Sequence, residues 1–148
     1  MINYRKQNIP IMAFRVRSVK YYNLTVKDQP GEAYNLLTFL ERMGINLQAF
    51  HAVPVGPART QLTLFPDNEL RLISETKKSG LQLDGPHPAI LVQGDDELGS
   101  LSRLHMKLYH ANVNVFSCSG VADGEGDFGY VIYVRPEDMD KAISVLDM

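Results

Sequence analysis

The sequence predicts an α+β protein built from two ferredoxin-like βαββαβ repeats, and three observations predict it. The pattern Asp-x-x-Gly occurs twice, at Asp28–Gly31 and Asp96–Gly99, a constant offset of 68 residues (96 − 28). The same offset carries the apolar stripe Ala33, Leu36, Leu37, Leu40, Met43 onto Leu101, Leu104, His105, Leu108, Ala111. It then carries Ile45-Asn46-Leu47 onto Val113-Asn114-Val115. An internal repeat constrains the fold before any single element does.

Each element follows in order. Tyr22, Leu24 and Val26 alternate with Asn23 and Thr25, the period of a half-buried strand. Ile90 and Val92 do the same within Ala89–Gln93. The two stripes run i, i+3, i+4, i+7, i+10, which lines one face of a helix. Gly44 and Asn112 follow them, and these residue types best tolerate the left-handed conformation that stops a helix. Two strands then form a hairpin in each copy. Residues 46–53 and 60–65 flank Pro54, Gly56 and Pro57, and residues 114–119 and 128–134 flank an acidic turn at 123–127.

Pro66 and Pro136 are expected to open a second helix in each copy. Their spacing of 70 (136 − 66) predicts two extra residues in the second hairpin. Leu72 and Ile73 supply the apolar face in the first copy, and Met139, Ala142, Ile143 and Leu146 in the second. A short strand over Leu81–Leu83 closes the first repeat. The second repeat is expected to lack its own C-terminal strand, since Met148 comes directly after its last expected helix. Ile9–Arg17 is the nearest candidate to cover that edge, from this chain or a partner. The expected organisation is an N-terminal arm over 1–17, a first domain over 18–85 and a second over 86–148.

Composition excludes several classes. Of the 148 residues 45 % are hydrophobic and 22 % charged, as in an ordinary globular protein. A net charge of −2 provides no general attraction to nucleic acid or anionic lipid. The single cysteine, Cys118, rules out an intramolecular disulfide framework and suits a reducing cytoplasm. No apolar run is long enough to span a bilayer, and the first residues do not read as a signal peptide.

The order strand, Asp-x-Pro-Gly, amphipathic helix, Gly, Ile-Asn-Leu resembles the ACT domain. The residues carrying the resemblance are Val26–Gly31 and Met43–Asn46. In the second copy Leu98 replaces the proline and Asn112 the glycine, so the first loop is the closer match. The resemblance covers about residues 18 to 148. It implies a regulatory module without catalytic activity that binds a small molecule such as an amino acid, pairs as a homodimer and uses no cofactor. The alternative is a protein–protein interaction module that docks on a metabolic enzyme or regulator, with purely structural loops.

The chemistry of the loops supports a ligand site. Asp28, Gln29, Pro30 and Gly31, and likewise Asp96, Leu98 and Gly99, deliver a strand into a helix N-terminus. Unpaired N–H groups and the positive end of the helix dipole there receive a carboxylate. The two aspartates are acceptors for an ammonium group, and Asn46 and Asn114 offer both donors and acceptors. The same residues have structural readings: the aspartates as helix caps, the glycines as turn formers, the asparagines as partners of local backbone.

Other constellations carry less. His51, His87, His105 and His110 lack metal-site spacing, so no metal is expected. His105, standing where the first copy has Leu37, is expected to be a hydrogen-bonded core or interface residue. Cys118 is expected to be buried and inert. Asp127–Tyr133 resembles the RNA-binding strand of RNA-recognition motifs. Glu125 and Asp127 stand where a basic residue belongs, and 89–93 lacks a stacking aromatic, so no nucleic-acid partner is expected. Tyr130, Ile132 and Val134 then face the core, with Phe128 and Tyr133 on the opposite, open face.

Overall fold

The computed structural model describes residues 14–147. The chain forms β1 (Phe14–Lys27), α1 (Glu32–Arg42), β2 (Leu47–Pro54), β3 (Arg59–Pro66), α2 (Glu69–Lys78) and β4 (Asp84–Asp95). It continues with α3 (Ser100–His110), β5 (Val115–Ala122), β6 (Asp127–Val134), a 3₁₀ turn (Pro136–Asp138) and α4 (Met139–Leu146). The fold is α+β, with two ferredoxin-like repeats.

Two compact units divide these elements. One spans Lys20–His87; the other comprises Pro88 onward together with the N-terminal segment up to Val19. In the first unit the strand order is β2-β3-β1-β4, and in the second β1-β4-β6-β5. The strands β1 and β4, 14 and 12 residues long, each contribute one part to either unit. The usual strand is about 5–6 residues, so each is long enough to serve twice.

This partition answers the question of the fourth strands. The first unit is closed by the start of β4, over Asp84–His87, rather than by Leu81–Leu83, which form no strand. Leu81 and Leu83 pack on the core instead. In the second unit the first part of β1 lies beside β4: Arg17 bonds Gln93 at 3.5 Å, and the Phe14 ring packs edge-on to Phe128 at 6.0 Å. Of the candidate strand Ile9–Arg17, Phe14–Arg17 belong to β1, and 9–13 lie outside the described residues.

In the first unit Leu36 and Leu40 of α1 and Leu72 of α2 pack with Tyr22, Leu24, Leu62 and Leu64. In the second, Leu104 and Leu108 of α3 and Met139, Ala142 and Leu146 of α4 pack with Ile90, Val92, Tyr130 and Ile132. Both helices of each unit therefore cover one face of its sheet. Fully burying a leucine or valine side chain contributes roughly 1.5–3 kcal/mol, so these clusters dominate the stability of each unit.

The repeat extends to individual hydrogen bonds. The Asp28 N–H donates to the Ala58 carbonyl and the Asp96 N–H to that of Gly126. Ile45 N–H returns to Leu40, and Val113 to Leu108. Leu24 pairs Leu62 across β1 and β3, and Val92 pairs Tyr130 across β4 and β6. The register slips between Leu47 and Ala49 in one copy and between Val115 and Ser117 in the other. Gly44 and Asn112 stop their helices with φ of 69° and 57°, the left-handed conformation expected of them.

Five further sequence expectations are corrected. The hairpins have equal length: Val55 N–H bonds Arg59 and Asp123 N–H bonds Asp127, both in the common offset. Pro66 ends β3 and is equivalent to Val134, so aligning it with Pro136 created the spurious insertion. Asn68, whose side chain accepts from the Arg71 N–H at 3.0 Å, caps α2 in its place. The buried face of α2 is Leu72 and Thr76; Ile73 is 40 % exposed. Finally, Phe128 shares the core side with Tyr130, as the strand's period of two requires, and Cys118 is exposed.

Candidate functional site

A depression in the second unit lies beside one of the predicted loops. It is a cleft of about 650 Å³ between the loop Asp96–Gly99, the first turn of α3 and the end of β5. Its floor is Phe128 and Tyr130 of β6, and its far wall is Gly120 and Ala122 of β5. The register explains the shape. Gly120 stands opposite Tyr130 and Ala122 opposite Phe128, so each small residue lies beside a large ring on the same face. A Cβ built at Gly120 would collide with the Tyr130 ring. Glycine is required there by that ring, and the groove between β5 and α3 stays open as a result.

The loop is shaped by backbone. Gly99 is the N-cap of α3 with φ 85°, and no side chain caps the helix. The aspartate-as-cap reading therefore does not hold in either copy, since Gly31, with φ 92°, occupies the same position before α1. The first N–H groups of a helix have no carbonyl of their own helix behind them; in α3 the Ser100 N–H donates instead to the Glu97 carbonyl at 3.0 Å, and the N–H groups of Leu101 and Ser102 follow it in the first turn. In α3 the first turn carries no acidic side chain, whereas α1 has Glu32 there, held by Gln29 at 2.6 Å. Glu97 pairs with Arg103 at 3.5 Å. The Ser100 hydroxyl is bonded within the loop, accepting from Glu97 N–H and donating to the Asp95 carbonyl, both at 3.3 Å.

Behind the cleft, Tyr130 is anchored. Its hydroxyl lies 2.8 Å from His105 Nε2. Burial, followed by a hydrogen bond with the Cys118 side chain, pushes the Tyr130 phenol up to about 12. His105 is thus a partly buried, hydrogen-bonded residue that holds a wall of the cleft.

The predicted site residues separate into several places. Asp96, Leu98 and Gly99 line the cleft. Asp28, Gln29, Pro30 and Gly31 form the equivalent loop of the first unit, and all four are exposed. Asn46 and Asn114 lie beyond the opposite ends of α1 and α3, about 16 Å away along an 11-residue helix. Asn46 lines a shallow hollow with Leu37 and Gly44. It exchanges hydrogen bonds with Asp67, its N–H donating to Oδ1 and its carbonyl accepting from the Asp67 N–H. Asn114 lines a separate hollow with His105 and Cys118.

Sequence reasoning did not select Gly120, Ala122, Phe128 and Tyr130 as site residues. The available signal was the pairing of two small residues on one strand with two large aromatics on the next. Among the described residues no group of three or more His, Cys, Asp or Glu side chains is arranged to hold a metal. No helix among them is long and apolar enough to cross a membrane.

The fold is that of a double ferredoxin-like α+β protein. The solved structures similar to it include the following three. Protein BT0572 from Bacteroides thetaiotaomicron aligns with a TM-score of 0.77 at 17 % identity, covering 89 % of this chain and 88 % of that one. The ligand-free regulatory subunit of aspartate kinase from Thermus thermophilus aligns with a TM-score of 0.65 at 15 % identity, covering 92 % and 94 %. The Thermus flavus regulatory subunit gives 0.60 at 13 % identity, covering 92 % and 94 %. At these identities the likeness is one of fold. No family profile matches the sequence, and no curated protein sequence does.

Proposed function

We propose that the protein is a non-catalytic regulatory module of the tandem ACT type that binds a small amino acid in the cleft of its second repeat. The observation that carries the reading is the cleft itself, where a helix N-terminus without an acidic first turn meets an apolar groove. The α-carboxylate lies against the N–H groups of the first turn of α3, and the Asp96 carboxylate accepts from the α-ammonium. The fold shared with regulatory subunits of aspartate kinase supports a regulatory role. Exposed Phe116 and Val121 on the edge strand β5 favour a homodimer. A cytoplasmic setting agrees with the free thiol of Cys118.

Calorimetric titration of the full chain with the twenty amino acids tests the reading. At least one is expected to bind, and Asp96→Asn is expected to weaken it at least tenfold while Asp28→Asn leaves it within about twofold. Binding that survives Asp96→Asn and is lost in Asp28→Asn would move the site to the first repeat.

A further inference from the structure

We infer that the cleft selects α-amino acids with an aliphatic side chain and rejects those with a charged one; the inference rests on the cleft being the amino-acid site. The two ends of the cleft differ in chemistry. Asp96 and the first turn of α3 form the polar end, which takes the carboxylate and ammonium common to every amino acid. The rest is lined chiefly by Leu98, Leu101, Ala122, Phe128 and the ring of Tyr130, with Ser102 beside them. Leu101 is 42 % exposed, a surface that a ligand side chain covers.

Two of the hydroxyls nearby are already engaged. The Tyr130 hydroxyl is committed to His105 at 2.8 Å, so the residue presents its ring and not its oxygen. The Ser100 hydroxyl is bonded inside the loop. The charged side chains lining the cleft are Asp96 and Glu97. Glu97 is paired with Arg103, so a ligand lysine would have to compete with that guanidinium, and among the described residues no cationic side chain lines the cleft to receive a ligand aspartate or glutamate. A charged side chain entering the groove loses its water without gaining a partner. An aliphatic one gains about fourfold in affinity for each methylene buried. Gly120 and Ala122 set the width: larger residues on that strand would fill the space the side chain occupies.

The test is calorimetric titration of the full chain with alanine, leucine, norleucine and lysine. Norleucine and lysine share a straight stem and differ in the terminal ammonium. Leucine is expected to bind at least tenfold more tightly than alanine, and norleucine at least tenfold more tightly than lysine. Leu101→Asn, at a half-exposed position that leaves the melting temperature unchanged, is expected to reduce the leucine preference below about threefold. Ala122→Leu is expected to weaken leucine more than alanine. Lysine or glutamate binding as tightly as leucine would overturn the selectivity and leave the amino-acid site standing. So would a leucine preference that persists in both variants. Absence of binding by all amino acids would remove the site and the selectivity together.

Discussion

The loops Asp28–Gly31 and Asp96–Gly99 occupy equivalent places, make the same backbone hydrogen bond to the following hairpin and end on a glycine with the same positive φ. Their surroundings differ at nearly every contact position. The offset places Thr60 and Leu62 where the second repeat has Phe128 and Tyr130, and Ala52 and Pro54 where it has Gly120 and Ala122. Tyr34, 72 % exposed, stands in the first turn of α1 where α3 has Ser102. Glu32 already supplies negative charge at the start of α1. The lesson is that the closer motif does not have to be the better cleft. A backbone loop presents donors, but the neighbouring hairpin and helix decide whether a ligand has a groove beside them.

That comparison can be broken or sharpened by experiment, beginning with the largest effect. Leu40 and Leu108 are equivalent and each 1 % exposed. Leu40→Ala and Leu108→Ala are each expected to cost about 2–5 kcal/mol in urea denaturation. A loss below about 1 kcal/mol at one site would show that the two cores are not packed alike.

Next in size is the left-handed stop. Gly44→Ala forces a Cβ into φ 69° and should cost about 1–2 kcal/mol, whereas Asn112→Gly should be neutral or slightly stabilising. Thermal melts that rank these two substitutions the other way would refute the equivalence of the two helix ends.

Smaller still is the contact that distinguishes the repeats, His105 with Tyr130. A double-mutant cycle using His105→Leu, which restores the first repeat's residue, and Tyr130→Phe is expected to give a coupling of about 1 kcal/mol. A coupling near zero would mean that the hydroxyl is held without the histidine.

The least effect concerns pH and the acidic hairpin. The N–H groups of Glu125 and Asp127 bond Asp123 Oδ1 at 2.6 and 3.1 Å and hold its carboxyl below the usual carboxylate value. With the folded value depressed, this local stabilisation is complete above the unfolded value and fades as pH falls through the folded one. Hydrogen exchange at the Glu125 and Asp127 amides should therefore quicken relative to the 55–59 turn when the solution is acidified or Asp123 is changed to Ala. Equal protection in both turns under acid would contradict it.

Much of the fold was legible because it is governed by local, periodic signals. Apolar spacing marked both helix stripes, alternation marked β1 and β6, and Gly44 and Asn112 marked the stops. Failures arose where a residue type was read without its register. Pro66 and Pro136 looked equivalent by chemistry, yet the strand pairing shows that they are not. Cys118 looked like a core thiol because cysteines usually are buried, but β5 lies at a sheet edge and exposes its side chains.

The sequence by itself determined the duplicated α+β architecture, the hairpin positions and the two loops that lead into helix N-termini, because each is written in residues close together along the chain. Tertiary structure alone decided that β1 and β4 each serve both units, and that β5 lies at a sheet edge with Cys118 exposed. It also decided that Gly120 must make room for Tyr130. These outcomes depend on which strands pair and in what register, and that depends on distant residues meeting across a sheet.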